Sequence, residues 1–211
     1  MELPEKSGGF LFITIRGIIK IINNSEECHM KLMIASDIHG SAYWCEKLLE
    51  AWRGEGKPRM LLLGDLLYHG PRNDLPRDYA PKRVIELLNG IREHLLCVRG
   101  NCEAEVDQMV LTFPVMADYC ALPLGEHILY ATHGHVHGET NPPPLMDGDV
   151  LLCGHTHVPA FNRHEGVTYV NPGSTSIPNN GSVHSYMTLE DGALAWKDLE
   201  NGETWREEKL F

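Results

Sequence analysis

Short apolar runs along this chain stop at polar, glycine-containing clusters, and the same punctuation recurs five times. Lys31-Leu-Met-Ile-Ala35 is apolar after its first residue and ends at Ser36-Asp37-Ile38-His39-Gly40. A short unbroken apolar run bounded by turn formers predicts a strand buried on both faces. Trp44, Leu48, Leu49 and Trp52 then fall at helical spacing, up to Gly54, and predict a helix with one apolar stripe. Met60 to Leu63 predicts a second buried strand, ending in Gly64-Asp65. After a polar loop from Tyr68 to Pro81, Val84, Ile85, Leu87 and Leu88 mark a second helix. His94 to Val98 predicts a third strand, ending in Arg99-Gly100-Asn101-Cys102-Glu103. Strands alternating with helices imply βαβ crossovers and a largely parallel sheet.

The second half changes character. Tyr119 to Leu124 and His127 to Thr132 predict paired strands about Gly125-Glu126, and Val150 to Cys153 predicts another. Ala160 to Arg163 with Val167 to Val170, and Ser185 to Leu189 with Ala193 to Asp198, predict two hairpins. The Asp191-Gly192 pair in the second hairpin is a strong turn signal. Two sheets stacked face to face with helices outside would bury both apolar sets. The expected class is therefore α/β, with a predominantly β second half.

Composition narrows this picture. At 211 residues, 43% apolar and 22% charged, the chain is expected to form one soluble globular domain from residue 30 to residue 211. Residues 1–29 look separate. Phe10 to Ile22 is apolar but interrupted by Arg16 and Lys20, which is too short for a membrane span of roughly 20 apolar residues. The stretch also lacks a signal-peptide cleavage site, and it is expected to be an upstream-start or cloning extension, with Met30 the natural start. Six scattered cysteines without a CxxC pair predict buried free thiols and a reducing cytoplasm. A net charge of −11 argues against an extended nucleic-acid partner, whose surfaces are usually basic. No membrane partner is expected, and exposed strand edges hint at a homo-oligomer.

Twelve histidines change the picture most, because several fall where strands end. The five clusters are Asp37-x-His39, Gly64-Asp65, Gly100-Asn101, His133-Gly134-His135 and Gly154-His155-Thr156-His157. Carboxyl ends of strands gather on one rim of such sheets, which is where sites form. Carboxylates, an amide and imidazoles suit borderline divalent cations, with Mn²⁺ the first expectation and Fe²⁺, Zn²⁺ or Ni²⁺ alternatives. Asp37, His39, Asp65, Asn101, His133, His155 and His157 exceed what one four-coordinate ion uses, but fit two ions sharing one carboxylate. Two such ions oppose the two aspartate charges and make the pocket locally cationic, able to take an anionic phosphate. Glycines before Asp65, Asn101 and His155 suit close backbone approach there.

The ordered set D-x-H, G-D, G-N, T-H-G-H and G-H-T-H resembles the calcineurin-like metallophosphoesterase superfamily. Within it, Gly64-Asp65-x-x-Tyr68-His69-Gly70-Pro71-Arg72-Asn73 and Gly100-Asn101-Cys102 are similar to the small bacterial YfcE-type phosphodiesterases. The resemblance implies a four-layer αββα sandwich of two mixed sheets and a metal-dependent phosphodiesterase. It implies one ion on Asp37, His39, Asp65 and His157, and another on Asp65, Asn101, His133 and His155. Hydroxide or water held by the ions would attack a small phosphodiester in line. A phosphomonoesterase or nuclease of the same fold is the alternative, and a non-catalytic scaffold is disfavoured by the intact ligand set.

Two departures stand out. The superfamily commonly has His after the Asn, where this chain has Cys102, a thiol poorly matched to acid work near neutrality. His69, His135 and His137 are candidate stand-in proton donors. Arg72 and Asn73, on the loop after Asp65, are candidate phosphate-binding residues. The second departure is Asn141-Pro-Pro-Pro144-Leu-Met-Asp147, where relatives have a helix. Three prolines forbid a long one and leave a stiff loop near the rim.

Overall fold

The computed structural model describes residues 31–211; the expectations for residues 1–29, and Cys28 with them, lie outside the described residues. The three parallel strands expected in the first half are β1 (Leu32–Ala35), β2 (Arg59–Leu62) and β3 (Leu95–Cys97). They form half of a six-stranded sheet. Its other half is the antiparallel set β9 (Ser185–Glu190), β10 (Ala193–Asp198) and β11 (Thr204–Lys209), in the order β11-β10-β9-β1-β2-β3. The second sheet runs β4-β5-β6-β8-β7, from β4 (Cys120–Leu124), β5 (His127–Ala131), β6 (Val150–Leu152), β7 (Ala160–His164) and β8 (Val167–Asn171). In it β5, β6 and β8 are parallel, and β4 and β7 close the edges antiparallel.

Strand alternation assigns each apolar side chain to a layer. Along β1, Leu32 and Ile34 pack with Leu129, Ala131, Val150, Leu152 and Val170 of the second sheet, whereas Met33 and Ala35 pack beneath the helices. The period of two is what allows a fully apolar strand to serve both cores. Trp196 is wholly buried between the sheets, and its indole N–H is satisfied by the Asn171 carbonyl at 2.7 Å.

The helices α1 (Ala42–Gly54) and α2 (Pro81–Asn89) cover the first sheet's outer face. The Ser41 hydroxyl caps α1 by accepting the Trp44 amide and donating to the Arg77 carbonyl. Leu48 and Leu49 are buried on its inner stripe, each contributing about 1.5–3 kcal/mol by leaving water. Proline in the first turn of α2 sacrifices no intrahelical bond. The stacked-sheet sandwich is as expected, but its helices are unevenly placed. Over the second sheet's outer face, where Leu151, Cys153 and Tyr169 cluster with Leu145, the segment between β5 and β6 forms no helix. That is the proline-bearing loop.

Two elements are additional to those expected. A six-residue helix, α3 (Glu105–Val110), follows the Gly100-Asn101 cluster, and β11 extends the first sheet. Arg92–His94 is a 3₁₀ turn, so the third strand begins at Leu95 rather than His94. Pro123 on edge strand β4 and the charged run of β11 blunt two sheet edges.

Candidate metal centre

All five polar clusters open at the carboxyl ends of β1, β2, β3, β5 and β6. The parallel pairing of β1 and β2 continues past both strands, with amide-to-carbonyl bonds His39 to Asp65 and Gly40 to Leu66, each 2.8 Å. This stitching sets Asp37, His39 and Asp65 side by side. The Asp37 carbonyl accepts from the Ser174 and Ser176 hydroxyls at 3.1 and 3.0 Å, so a distant loop supports the same turn.

Glu103 joins the next cluster to these. Its carboxylate, 4% exposed, accepts the amides of Asp65 (2.9 Å), Leu66 (2.7 Å) and Gly100 (2.5 Å). Gly100 is needed because a Cβ there would lie against the Asp65 carboxylate and Glu103, and one at Gly154 would collide with the Ser36 hydroxyl.

The backbone carries strain at these turns. Among the described residues ten non-glycines have positive φ, and five of them are Asp37 (59°), His39 (47°), Asp65 (55°), His155 (65°) and His157 (60°). Left-handed backbone costs an ordinary residue about 1–2 kcal/mol. Its concentration here follows the usual association of stored strain with function.

The side chains converge in two groups. Asp37 Oδ1 lies 3.2 Å from His157 Nε2 and 3.5 Å from His39 Nε2, and those two nitrogens are 3.3 Å apart. His133 Nε2 lies 3.1 Å from Asn101 Oδ1, 3.2 Å from His155 Nδ1 and 3.5 Å from Asp65 Oδ2. Asp65 Oδ2 is also 3.7 Å from His39 Nε2, so one oxygen stands between the groups. Its other oxygen is engaged by the Cys102 amide at 2.9 Å.

The tautomers follow from the carbonyls. Nδ1 of His39, His133 and His157 lies 2.7, 2.6 and 2.8 Å from the carbonyls of Tyr68, Leu63 and Ile177. A carbonyl only accepts, so each Nδ1 carries the proton and each neutral Nε2 is a lone pair. Lone pairs from His39 and His157 therefore face each other beside Asp37 Oδ1, a buried oxygen with no hydrogen-bond donor. Acceptors gathered this closely need a cation among them, and a carbonyl behind each imidazole is the usual support of a ligating histidine. The residues fit a divalent metal. Asp37-His39-His157 and Asp37-Asp65-His133 each present ligand atoms close enough to share an ion. His39-Asp65-Cys102 does too, which brings the thiol to the edge of the same cluster.

Titration behaviour agrees. Burial opposes charge on Asp37 and Asp65, yet the histidines beside them hold both carboxyls below their usual range. Burial likewise disfavours protonated His39 and His133, but Asp37 and Asp65 outweigh it, and His133 is pushed up to about 9. The metal-free cluster thus draws in protons as surrogate cations. Cys102 is pushed up by burial and by the Asp65 charge, so it stays a thiol at neutral pH.

A cavity of 190 Å³ opens over the cluster. Arg72, Asn73 and Cys102 line it, as does Asn179, which sequence reasoning missed. His69 is not among its lining residues; the ring packs against Tyr68 and Tyr79. His135 lies beside the cluster, its ring 5.4 Å from that of His133, and burial with the His133 charge lowers its pKa. His137 engages Cys153 through its carbonyl. Glu103 was also underrated, although a Gly-x-x-Glu turn at a strand end was a readable signal. Asn179 carried none.

A profile of the calcineurin-like phosphoesterase superfamily domain matches residues 30–191. The chain belongs to this superfamily. It is 46% identical over 166 residues to the phosphodiesterase YfcE of Escherichia coli strain K12, covering 79% of this chain and 90% of that protein. The solved structure of Escherichia coli YfcE, described as a phosphoesterase, superposes with a TM-score of 0.83 at 43% identity, over 86% of this chain and all of that one. Vacuolar Protein Sorting 29 from Cryptosporidium parvum shares the fold alone, at 18% identity and a TM-score of 0.53 over 86% of this chain and 98% of that one. Membership, with the 46% identity to a phosphodiesterase, makes this chain a phosphoric ester hydrolase, of a family that implies divalent metal ions.

Proposed function

We propose that this chain is a phosphodiesterase that hydrolyses a small phosphodiester at a centre of two divalent cations. The observation that carries the reading is the convergence of His39 and His157 Nε2, whose Nδ1 atoms are taken up by carbonyls, on the Asp37 carboxylate, with Asp65 Oδ2 between the two groups. Asp37, His39, Asp65 and His157 would hold one ion, and Asp65, Asn101, His133 and His155 the other. When bound, such a pair supplies Lewis-acid activation of water and of the phosphorus centre. Manganese(II) is the first choice on donor type, with iron, zinc and nickel also suited.

The chain's own residues perform the remaining work. Glu103 fixes the Asp65 and Gly100 backbones and so positions both carboxylate and amide. Among the described residues Arg72 is the one permanent cation lining the cavity, placed to take a phosphate oxygen. Asn73 is held to the His69 carbonyl at 2.8 Å, on the same wall. In hydrolysis the water oxygen bonds to phosphorus, the ester P–O bond breaks, and the alcohol departs with a proton. Cys102 is the thiol beside that event, and its raised pKa makes it a weak acid. Substrates with good leaving groups therefore turn over fastest. The free cysteines among the described residues suit a reducing cytoplasm.

The test is chelation and repletion. Metal-stripped protein should be inert towards bis(p-nitrophenyl) phosphate and recover with Mn²⁺; activity that survives exhaustive chelation would sink the reading.

A further inference from the structure

A second cavity, of 460 Å³, shares His155 with the lining of the first. Its size is within the roughly 300–1,000 Å³ of ordinary ligand pockets. We propose that it binds one ester arm of the substrate and selects an uncharged, hydroxyl-bearing arm, an inference that rests on the phosphodiesterase reading above.

The shared residue places the second cavity next to the metal cluster, where the phosphorus would sit. A diester has two arms, and two cavities meeting at His155 give each a place. A monoester has no second arm to put there. The chemistry of the lining sets the preference. Thr140, Asn141 and Thr156 offer neutral hydrogen-bonding groups, Val136 and Tyr169 offer apolar surface, and among the described residues no Lys or Arg lines the cavity. Glu139 is the one carboxylate among the described lining residues. A second anionic group would face that charge with no Lys or Arg among those residues to offset it, whereas the first cavity has Arg72. A polyol or sugar-like arm meets donors, acceptors and an aromatic wall instead.

The cavity is also preorganised, which limits the entropy lost on binding. Gly138 and Asn141 exchange backbone hydrogen bonds of 3.3 and 3.1 Å, and the Asn141 side chain donates to the Val136 carbonyl. Glu139 is tied to Asn162 at 2.6 Å and His164 at 2.8 Å. Asn141, the first residue of the proline-bearing segment, belongs to this wall, and the segment forms no helix.

The experiment uses the manganese-loaded full chain and three p-nitrophenyl substrates: the 2,3-dihydroxypropyl diester, the 2-carboxyethyl diester and the monoester. Wild type should favour the dihydroxypropyl over the carboxyethyl arm about tenfold in kcat/KM. Thr140→Trp and Val136→Trp, both at exposed positions, fill the cavity from different sides. Each should raise KM for the dihydroxypropyl diester about tenfold while leaving the monoester within about twofold. Glu139→Gln should narrow the gap between neutral and anionic arms. Equal rates on the two diesters, or tryptophan variants that change all three substrates alike or none, would overturn the subsite. Protein that hydrolyses none of the three with metal restored overturns the phosphodiesterase reading itself.

Discussion

Replacing Glu103 by glutamine tests how the centre is held open for its ligands. The carboxylate accepts three backbone amides, two on Oε2 and one on Oε1. Glutamine has one acceptor oxygen. With it at the Oε2 position the Asp65 and Gly100 amides are kept, but the new NH₂ confronts the Leu66 amide. An orphaned buried donor costs about 1–3 kcal/mol, and the two surviving bonds each lose roughly 1 kcal/mol of charge assistance. Against this, burial and the Asp65 charge raise the Glu103 pKa, so removing its charge returns part of the loss in metal-free protein. The expected cost is about 3–5 kcal/mol with Mn²⁺, where bound cations cancel the repulsion from Asp65, and less without metal. For a chain of this size that is a fall in Tm of about 6–20 °C loaded and a smaller one metal-free. The widening between states corresponds to weaker Mn²⁺ binding, about tenfold or more, as for other groups that orient ligands. Scanning calorimetry in both states, with titration calorimetry for Mn²⁺, reads both effects. An E103Q protein with unchanged Mn²⁺ affinity and equal Tm shifts in the two states would refute the coupling between this carboxylate and the metal ligands.

Two further predictions follow from the same cluster. His133 is raised to about 9 in the metal-free fold, so its stabilising contribution is full below its ordinary value near 6.5 and lost as pH rises through 9. Apparent Mn²⁺ affinity should accordingly climb by up to about tenfold per pH unit between 7 and 9 and then level off; a flat profile by titration calorimetry would contradict the shared proton. His155→Asn should abolish turnover yet raise the metal-free Tm by about 2–4 °C, since asparagine tolerates the 65° φ better than histidine. A lower Tm for that variant would show that the strain is not stored there.

The convergence of these side chains was legible because two independent patterns coincide at each cluster: an apolar run that ends, and a residue type able to bind metal immediately after. β1 and α1 were readable for the same reason, their periods being unambiguous. The β11 segment Thr204–Lys209 ends in four consecutive charged residues, because it is an edge with one partner, and no hydrophobic pattern announced it. Helix α3 is too short to display a stripe, and its Val106 and Met109 face solvent. The role of Glu103 showed only as a Gly-x-x-Glu spacing, because its partners are backbone amides, which every residue has. Asn179 reaches the cavity from a loop far along the chain, anchored by bonds to His157 and Thr156. Neither cavity wall nor left-handed backbone leaves a mark in residue type alone.

That left-handed backbone bears on how such a fold changes through descent. If those turns hold cations as proposed, each strained residue is kept only while cation binding is selected. Once that selection lapses, substitution by asparagine or glycine at those turns adds folding margin rather than spending it. Reverting would then mean accepting a less stable chain before any activity returned. The drift is one-way, and it leaves the stacked sheets intact while the chemistry disappears from their rim.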